Sequence, residues 1–128
     1  MNDKKPRIYN QSVLHHSQNP HNKGELTDPD FCETEENPTC GDKITLQVNI
    51  SEGVIRDIKF NGHGCVLCIG AASILTQMVR GLNIKDASSL TLDDLVDNMG
   101  NPAKLRKDCV GLSLNALHEI LSSASRRN

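Results

Sequence analysis

The sequence predicts an α+β fold: a small antiparallel sheet, built from a hairpin with room for a third strand, packed on one face by helices. Three observations carry this expectation. Residues 43–50 alternate apolar and polar without a break, which is the period of a half-buried strand. A link of only three residues joins this run to a second one, too short for a parallel crossover. Beyond residue 65 the periodicity is helical with no return to strand, so the βαβ alternation of a parallel sheet is missing.

The elements follow in chain order. In residues 7–17, Ile8, Tyr9, Val13 and Leu14 fall near helical spacing and predict a short amphipathic helix docked on the body. From Ser17 to Thr39 the chain is polar, with two Asn-Pro steps and the acidic run Glu33–Glu36; this reads as a long loop. Ile44, Leu46, Val48 and Ile50 share one face of the first strand, Ser51-Glu52-Gly53 turns, and Val54–Phe60 returns with Ile58 and Phe60 inward. Asn61-Gly62-His63-Gly64 ends that strand. A broadly apolar helix follows over about Cys65–Arg80, with Gly81 as its stop. Thr91-Leu-Asp-Asp carries a helix-start pattern for a short helix to Met99. Asn101-Pro102 opens the last helix, with Leu105, Leu112, Ala116 and Ile120 on one stripe and Val110, Leu114, Leu117 and Leu121 on the next. The chain thus reads as one domain over residues 1–128, with residues 1–6 and 122–128 flexible.

Composition narrows the function classes. Of 128 residues, 14 are Lys or Arg and 16 are Asp or Glu, a formal charge of −2. That balance, with only Tyr9, Phe31 and Phe60 as aromatics, argues against nucleic-acid binding, which needs a basic footprint and stacking platforms. Apolar residues are about a fifth of residues 1–39 but about 44% of residues 40–128, which places the core in the latter. No apolar run is long enough to span a membrane, and no secretory signal is expected behind the charged N-terminus. Five cysteines is an odd number for a disulfide framework, so free thiols in a reducing, cytoplasmic compartment become the leading idea.

Three segments could carry chemistry. Cys40-Gly41-Asp42 joins a thiol and a carboxylate across a glycine that lets the backbone turn, although in isolation a buried cysteine beside a turn-forming Asp is the better reading. In Gly62-His63-Gly64-Cys65-Val66-Leu67-Cys68, Cys65 falls at a helix N-terminus, where unpaired N–H groups favour thiolate. Cys68 lies one turn into an apolar helix and reads as a small core residue; His63 is equally well read as solvent-facing. The third segment, Asp108-Cys109, sits in the first turns of the last helix, with Arg106 and Lys107 as a solvated face. Three sulfurs with one oxygen suit a tetrahedral zinc ion or an incompletely held iron–sulfur cluster. Exchanging one thiolate for Asp loosens the grip, which suits a protein that releases its cargo.

The blocks Asn37-Pro38-Thr39-Cys40-Gly41-Asp42, Gly62-His63-Gly64-Cys65 and Arg106-Lys107-Asp108-Cys109 resemble those of the IscU/SufU/NifU N-terminal family of iron–sulfur assembly scaffolds. Tyr9-Asn-Gln-Ser-Val-Leu-His-His and Asn19-Pro-His-Asn-Lys-Gly look like that family's opening helix and loop, so the similarity runs from about Tyr9 to Leu121. The resemblance implies a SufE/NifU-like fold, with Cys40, Asp42, Cys65 and Cys109 as cluster or zinc ligands. It also implies persulfide sulfur received from a cysteine desulfurase. There are departures. IscU-type members usually carry His directly before the last Cys, and SufU-type members Lys; this chain has Asp108. Only 43 residues separate Cys65 from Cys109, so the SufU insertion is absent, although Arg106 matches the SufU-like Arg-x-Lys-Cys pattern. Pro102–Arg106 does not reproduce the Leu-Pro-Pro-Val-Lys chaperone motif of IscU. Cys68 stands where many relatives have Ser.

The resemblance therefore leads to a cytoplasmic scaffold, a carrier rather than an enzyme, that builds a labile [2Fe–2S] cluster from iron and sulfur. Its ligands would be Cys40, Asp42, Cys65 and Cys109, with Asp108 and Cys68 as further candidates. Cys40, Cys65 and Cys109 are the candidate persulfide acceptors, the helix-start pair Cys65 and Cys109 favoured by the dipole argument and Cys40 by its loop position. Partners would be a cysteine desulfurase and apo iron–sulfur proteins or carriers, with no nucleic acid and no membrane, and the chain a monomer or weak homo-oligomer. The alternative is a zinc-dependent sulfurtransferase of SufU type, with Zn2+ on the same four residues; a purely structural zinc module is disfavoured by Asp42.

Overall fold

The computed structural model describes residues 11–102 and 107–127. Its elements are α1 (Gln11–Gln18), β1 (Phe31–Asn37), β2 (Asp42–Ser51), β3 (Val54–His63), α2 (Val66–Val79), α3 (Ile84–Ser88), α4 (Leu92–Asn98) and α5 (Lys107–Arg127). The strands form one antiparallel sheet in the order β1-β2-β3. α5 lies across β1 and β2, α2 packs against β3 and α5, and α1 covers α2.

The β2–β3 hairpin forms as its pattern demands. Ile44, Leu46 and Val48 are fully buried from β2, and Ile55, Ile58 and Phe60 from β3. The turn is tighter than expected. Glu52 (φ 54°) and Gly53 (φ 73°) both adopt left-handed backbone, the two-residue geometry whose twist matches the flanking strands. β3 also continues through Asn61 and Gly62 to His63 instead of breaking there. Gly62 (φ 140°) sustains the pairing, because a Cβ at that position would collide with the Lys43 carbonyl.

The segment Ser17–Thr39, read from sequence as a loop, holds β1. The strand escapes detection because its inward positions are Phe31, Glu33, Glu35 and Asn37, so burial alternates but polarity does not. Pairing with β2 supplies what the pattern lacks: Thr34 and Thr45 share a 2.7 Å hydroxyl hydrogen bond and Glu36 stands opposite Lys43. A charged edge strand of this kind resists further pairing. On the opposite edge the chain before β1 docks directly, with Phe60 N–H donating to Asn22 O and Gly24 N–H to Phe60 O.

Among the helices, α2 spans the buried apolar run and stops at Arg80 and Gly81 (φ 93°). α4 has a complete Thr91/Asp94 capping box. The sequence reading has no counterpart for α3, since five residues are too few for a period; Asn83 caps it by accepting from Asp86 N–H at 2.7 Å. The start of α1 at residue 7, and Leu105 with the opening of the last helix after Pro102, fall outside the described residues. α5 runs past Leu121 to Arg127 with Ala124 buried, so residues 122–127 continue the helix rather than leaving it. Both expected stripes of α5 from Val110 onward are buried.

Candidate metal centre

Each cysteine-bearing segment ends at one corner of the sheet for a local reason. Asn37 and Asp42 are register partners, so Pro38–Gly41 is the turn of a β1–β2 hairpin. Gly41 takes φ 80°, its N–H donates to Asn37 O at 2.8 Å, and Asn37 Oδ1 accepts the Thr39 N–H. Cys40 is therefore exposed at the hairpin tip, while Asp42 opens β2 pointing inward, only 4% exposed. Cys65 is the N-cap of α2, with extended backbone (φ −72°, ψ 172°), and its thiol caps no helical N–H. Cys109 lies in the first described turn of α5, 1% exposed.

These corners converge. Cys40 Sγ, an Asp42 carboxylate oxygen and Cys109 Sγ lie within 4.8 Å of one another. The two sulfurs are 3.6 Å apart, and Cys65 Sγ donates to Asp42 Oδ2 at 3.7 Å. All five cysteines are free. Two sulfurs sharing a tetrahedral zinc ion at the usual Zn–S length stand about 3.8 Å apart, close to the observed separation and far from a disulfide bond. Soft thiolates with one hard oxygen suit zinc or iron. Among the described residues this is the group of His, Cys, Asp or Glu that brings three ligand atoms within 4.8 Å as it stands.

Burial alone would push the Asp42 carboxyl up, but hydrogen bonds from the Cys109, Cys40 and Cys65 side chains and the Cys65 backbone outweigh it, and its pKa falls below the usual value. The same contacts act oppositely on sulfur. Burial, then the Asp42 contact, pushes the Cys109 thiol well above its ordinary range. This direction runs against the dipole argument for Cys109, whose helix position is opposed by desolvation and a facing carboxylate. Cys68 is 1% exposed in the core, its thiol pushed up to about 12 by burial and by the negative charge of Asp42. It stands outside the converging group, as does exposed Asp108.

Gly64 holds the corner together. A Cβ there would lie 2.9 Å from Cys68 Sγ and 3.0 Å from both Cys68 Cβ and Asp42 Cγ, so the backbone preceding Cys65 rests directly on the Asp42 carboxylate. His63 is exposed at the end of β3. It lines an open cleft of about 380 Å³ with Lys43, Asn61, Gly62 and Glu25, next in sequence to the converging residues. Cys32, which the sequence did not single out, is exposed on β1. No helix among the described residues is long and apolar enough to cross a membrane.

Known proteins share this architecture. An N-terminal NifU-like protein from Brucella abortus superposes with a TM-score of 0.80 over 94% of this chain and 96% of its own, at 19% identity. A SUF-system scaffold protein from Fervidobacterium islandicum superposes at 0.73 over 89% and 96%, at 21% identity. In sequence, the iron-sulfur cluster assembly scaffold protein IscU 1 of Archaeoglobus fulgidus is 34% identical over 94% of this chain and 79% of its own length. The IscU of Aquifex aeolicus is 38% identical over 86% and 71%. The zinc-dependent sulfurtransferase SufU of Bacillus subtilis is 38% identical over 66% of this chain and 56% of its own. The family model described as the NifU-like N terminal domain matches residues 8–128, and the chain belongs to that family.

Proposed function

We propose that this chain is an iron–sulfur cluster assembly scaffold. It takes persulfide sulfur from a cysteine desulfurase, combines it with iron as a labile [2Fe–2S] cargo, and hands that cargo to apo-proteins. The observation that carries this reading is the meeting of Cys40, Asp42 and Cys109 within 4.8 Å, with Cys65 at 3.7 Å from Asp42, from three separate segments. Three thiols and one carboxylate fit an iron–sulfur unit by donor chemistry. A carboxylate in place of a fourth thiolate holds a soft centre less firmly, as delivery requires. Five free thiols suit the reducing cytoplasm.

The residues divide the work by exposure. Cys40, at a hairpin tip in solvent, is the acceptor that a partner's persulfide can reach. Its thiolate attacks the outer sulfur, the partner's S–S bond breaks, and the partner's cysteine leaves as thiolate while the sulfane sulfur stays on Cys40. Reduction of that sulfur to sulfide needs two electrons from an external donor. Asp42, ionised well below neutral pH, accepts hydrogen bonds from the three thiols and keeps them gathered. Cys109 and Cys65 close the inner side, and the apolar core behind them excludes water.

Anaerobic reconstitution with ferrous iron, cysteine and a cysteine desulfurase tests the proposal. The expected result is visible charge-transfer absorption that passes to an apo-ferredoxin. Protein that stays colourless overturns it. A second reading, a zinc-dependent sulfurtransferase, is favoured by the accessibility of Cys40 beside less accessible partners, since one exposed ligand can leave an ion while the others retain it. That reading predicts colourless protein with one zinc per chain that stimulates a desulfurase, and loses the stimulation as Cys40→Ser while keeping zinc.

A further inference from the structure

Three histidines meet where the end of α1 lies against the middle of α2, away from the cysteines. His15 and His16 end α1 and His21 follows it in the loop. The ring centres are 4.9 Å apart for His16 and His21, 5.8 Å for His15 and His16, and 6.1 Å for His15 and His21. Three imidazoles around one tetrahedral ion at the usual metal–nitrogen length have ring centres about 5 Å apart, so the cluster is already near the required size. The nitrogens do not yet all lie within 4.8 Å of one another; side-chain rotation would bring them to a point, and His15, exposed on α1, has room to turn.

The rings are also held as ligands are held. Ser73 Oγ lies 2.6 Å from His16 Nδ1 and accepts the His21 backbone N–H at 2.8 Å. The side-chain amide nitrogen of Gln77 lies 3.1 Å from His21 Nδ1. A hydroxyl by rotation and an amide by a half-turn can each accept an Nδ1–H, which leaves Nε2 bare for an ion; such outer hydrogen bonds orient metal-binding imidazoles generally. Ser73 stands eight residues along α2 from Cys65, about 12 Å of helix, so this cluster is separate from the cysteine corner.

We propose that His15, His16 and His21 form a second metal site, for a borderline divalent cation such as Zn2+, Co2+ or Ni2+, positioned by Ser73 and Gln77. It is tested with the metal-free, reduced full chain titrated anaerobically with Zn2+ against a chromophoric chelator. The unmodified chain is expected to take two ions, and His15→Ala/His21→Ala one. Cys40→Ser/Cys109→Ser keeps the histidine ion; loaded with Co2+, it gives ligand-field bands without thiolate charge transfer. Gln77→Ala weakens the histidine ion 10–100-fold. In the unmodified chain, where folding is not at issue, Zn2+ shifts the imidazole 15N resonances of His15, His16 and His21 together. Unshifted resonances, or two ions retained by His15→Ala/His21→Ala, overturn the proposal. Loss of the cysteine ion alone would count against the scaffold reading and leave this one standing.

Discussion

Gly64→Ala is the sharpest probe of how the cysteine corner is built, because it adds one methyl group and alters no ligand. That methyl would meet Cys68 Sγ at 2.9 Å and Cys68 Cβ and Asp42 Cγ at 3.0 Å, whereas unstrained carbon contacts begin near 3.5 Å. Relief therefore requires a displacement of about 0.5 Å. Neither neighbour has room to give: Cys68 is 1% and Asp42 4% exposed. Overpacking of this kind costs about 1–3 kcal/mol, read as a lower urea midpoint in the metal-free protein. Moving Asp42 by such a distance exceeds the ~0.2 Å tolerance of a metal site, so zinc affinity in a competition assay should fall about 10–100-fold. Gly64 is not among the positive-φ residues, so the effect is steric and not backbone strain. Gly111→Ala is the matched control. Its Cβ meets nothing within 4 Å inside α5, and it should stabilise by about 0.5–1 kcal/mol. If Gly64→Ala keeps both the stability and the zinc affinity of the unmodified chain, the glycine does not brace Asp42 and this account of the corner is wrong.

Other substitutions probe the remaining parts. Asp42→Asn in the metal-free protein should lose about 1–3 kcal/mol at pH 7. Because the native carboxyl is held below its ordinary value, its contribution is present above the ordinary carboxyl range and lost as pH falls through the depressed native value; urea curves for the two proteins should converge in acid. Asp42→Cys offers a fourth soft ligand, and a reconstituted cluster on it should reach an apo-ferredoxin more slowly than from the unmodified chain. Glu35 carries the opposite sign: burial, then Glu33 and Glu119, raises its pKa, so the ionised form opposes folding at neutral pH. Glu35→Gln should stabilise by up to about 0.5 kcal/mol at pH 7, a gain that disappears once acid has protonated the native side chain. Thr91→Ala removes the α4 capping box and should cost about 1 kcal/mol in thermal or urea unfolding.

What could be read from sequence was whatever a one-dimensional period or a local rule encodes. The β2–β3 hairpin, α2 and its Gly81 stop, the Thr91 cap and the buried faces of α5 are all of this kind. β1 was not, because Glu33 and Glu35 occupy inward positions and only the edge of β2 makes a strand of them. The three cysteine segments were visible as chemistry, and the family resemblance joined them, but their ranking by reactivity depended on contacts between segments. Local reasoning favours Cys109 as a nucleophile at a helix start; the fold buries it against Asp42 and raises its pKa. Cys40, a turn residue with nothing local to recommend it beyond its loop position, is the one the hairpin tip leaves in solvent.

This asymmetry bears on how such a corner can both hold and release an inorganic cargo. A site whose ligands were all buried would exchange slowly, because every bond would break inside a dry enclosure. One whose ligands were all exposed would be open to water and adventitious metals. Here Asp42 and Cys109 are buried, Cys65 is half-buried and Cys40 is exposed, so loading and unloading can proceed through a single outward ligand while the inner ones keep their places. Cys40→Ser should slow sulfur entry and cargo departure together, whereas Cys109→Ser should chiefly weaken retention. Single-turnover transfer from a desulfurase, followed by release to an apo-ferredoxin, separates the two effects. Equal losses in both steps for both variants would mean that exposure does not divide the labour among these cysteines.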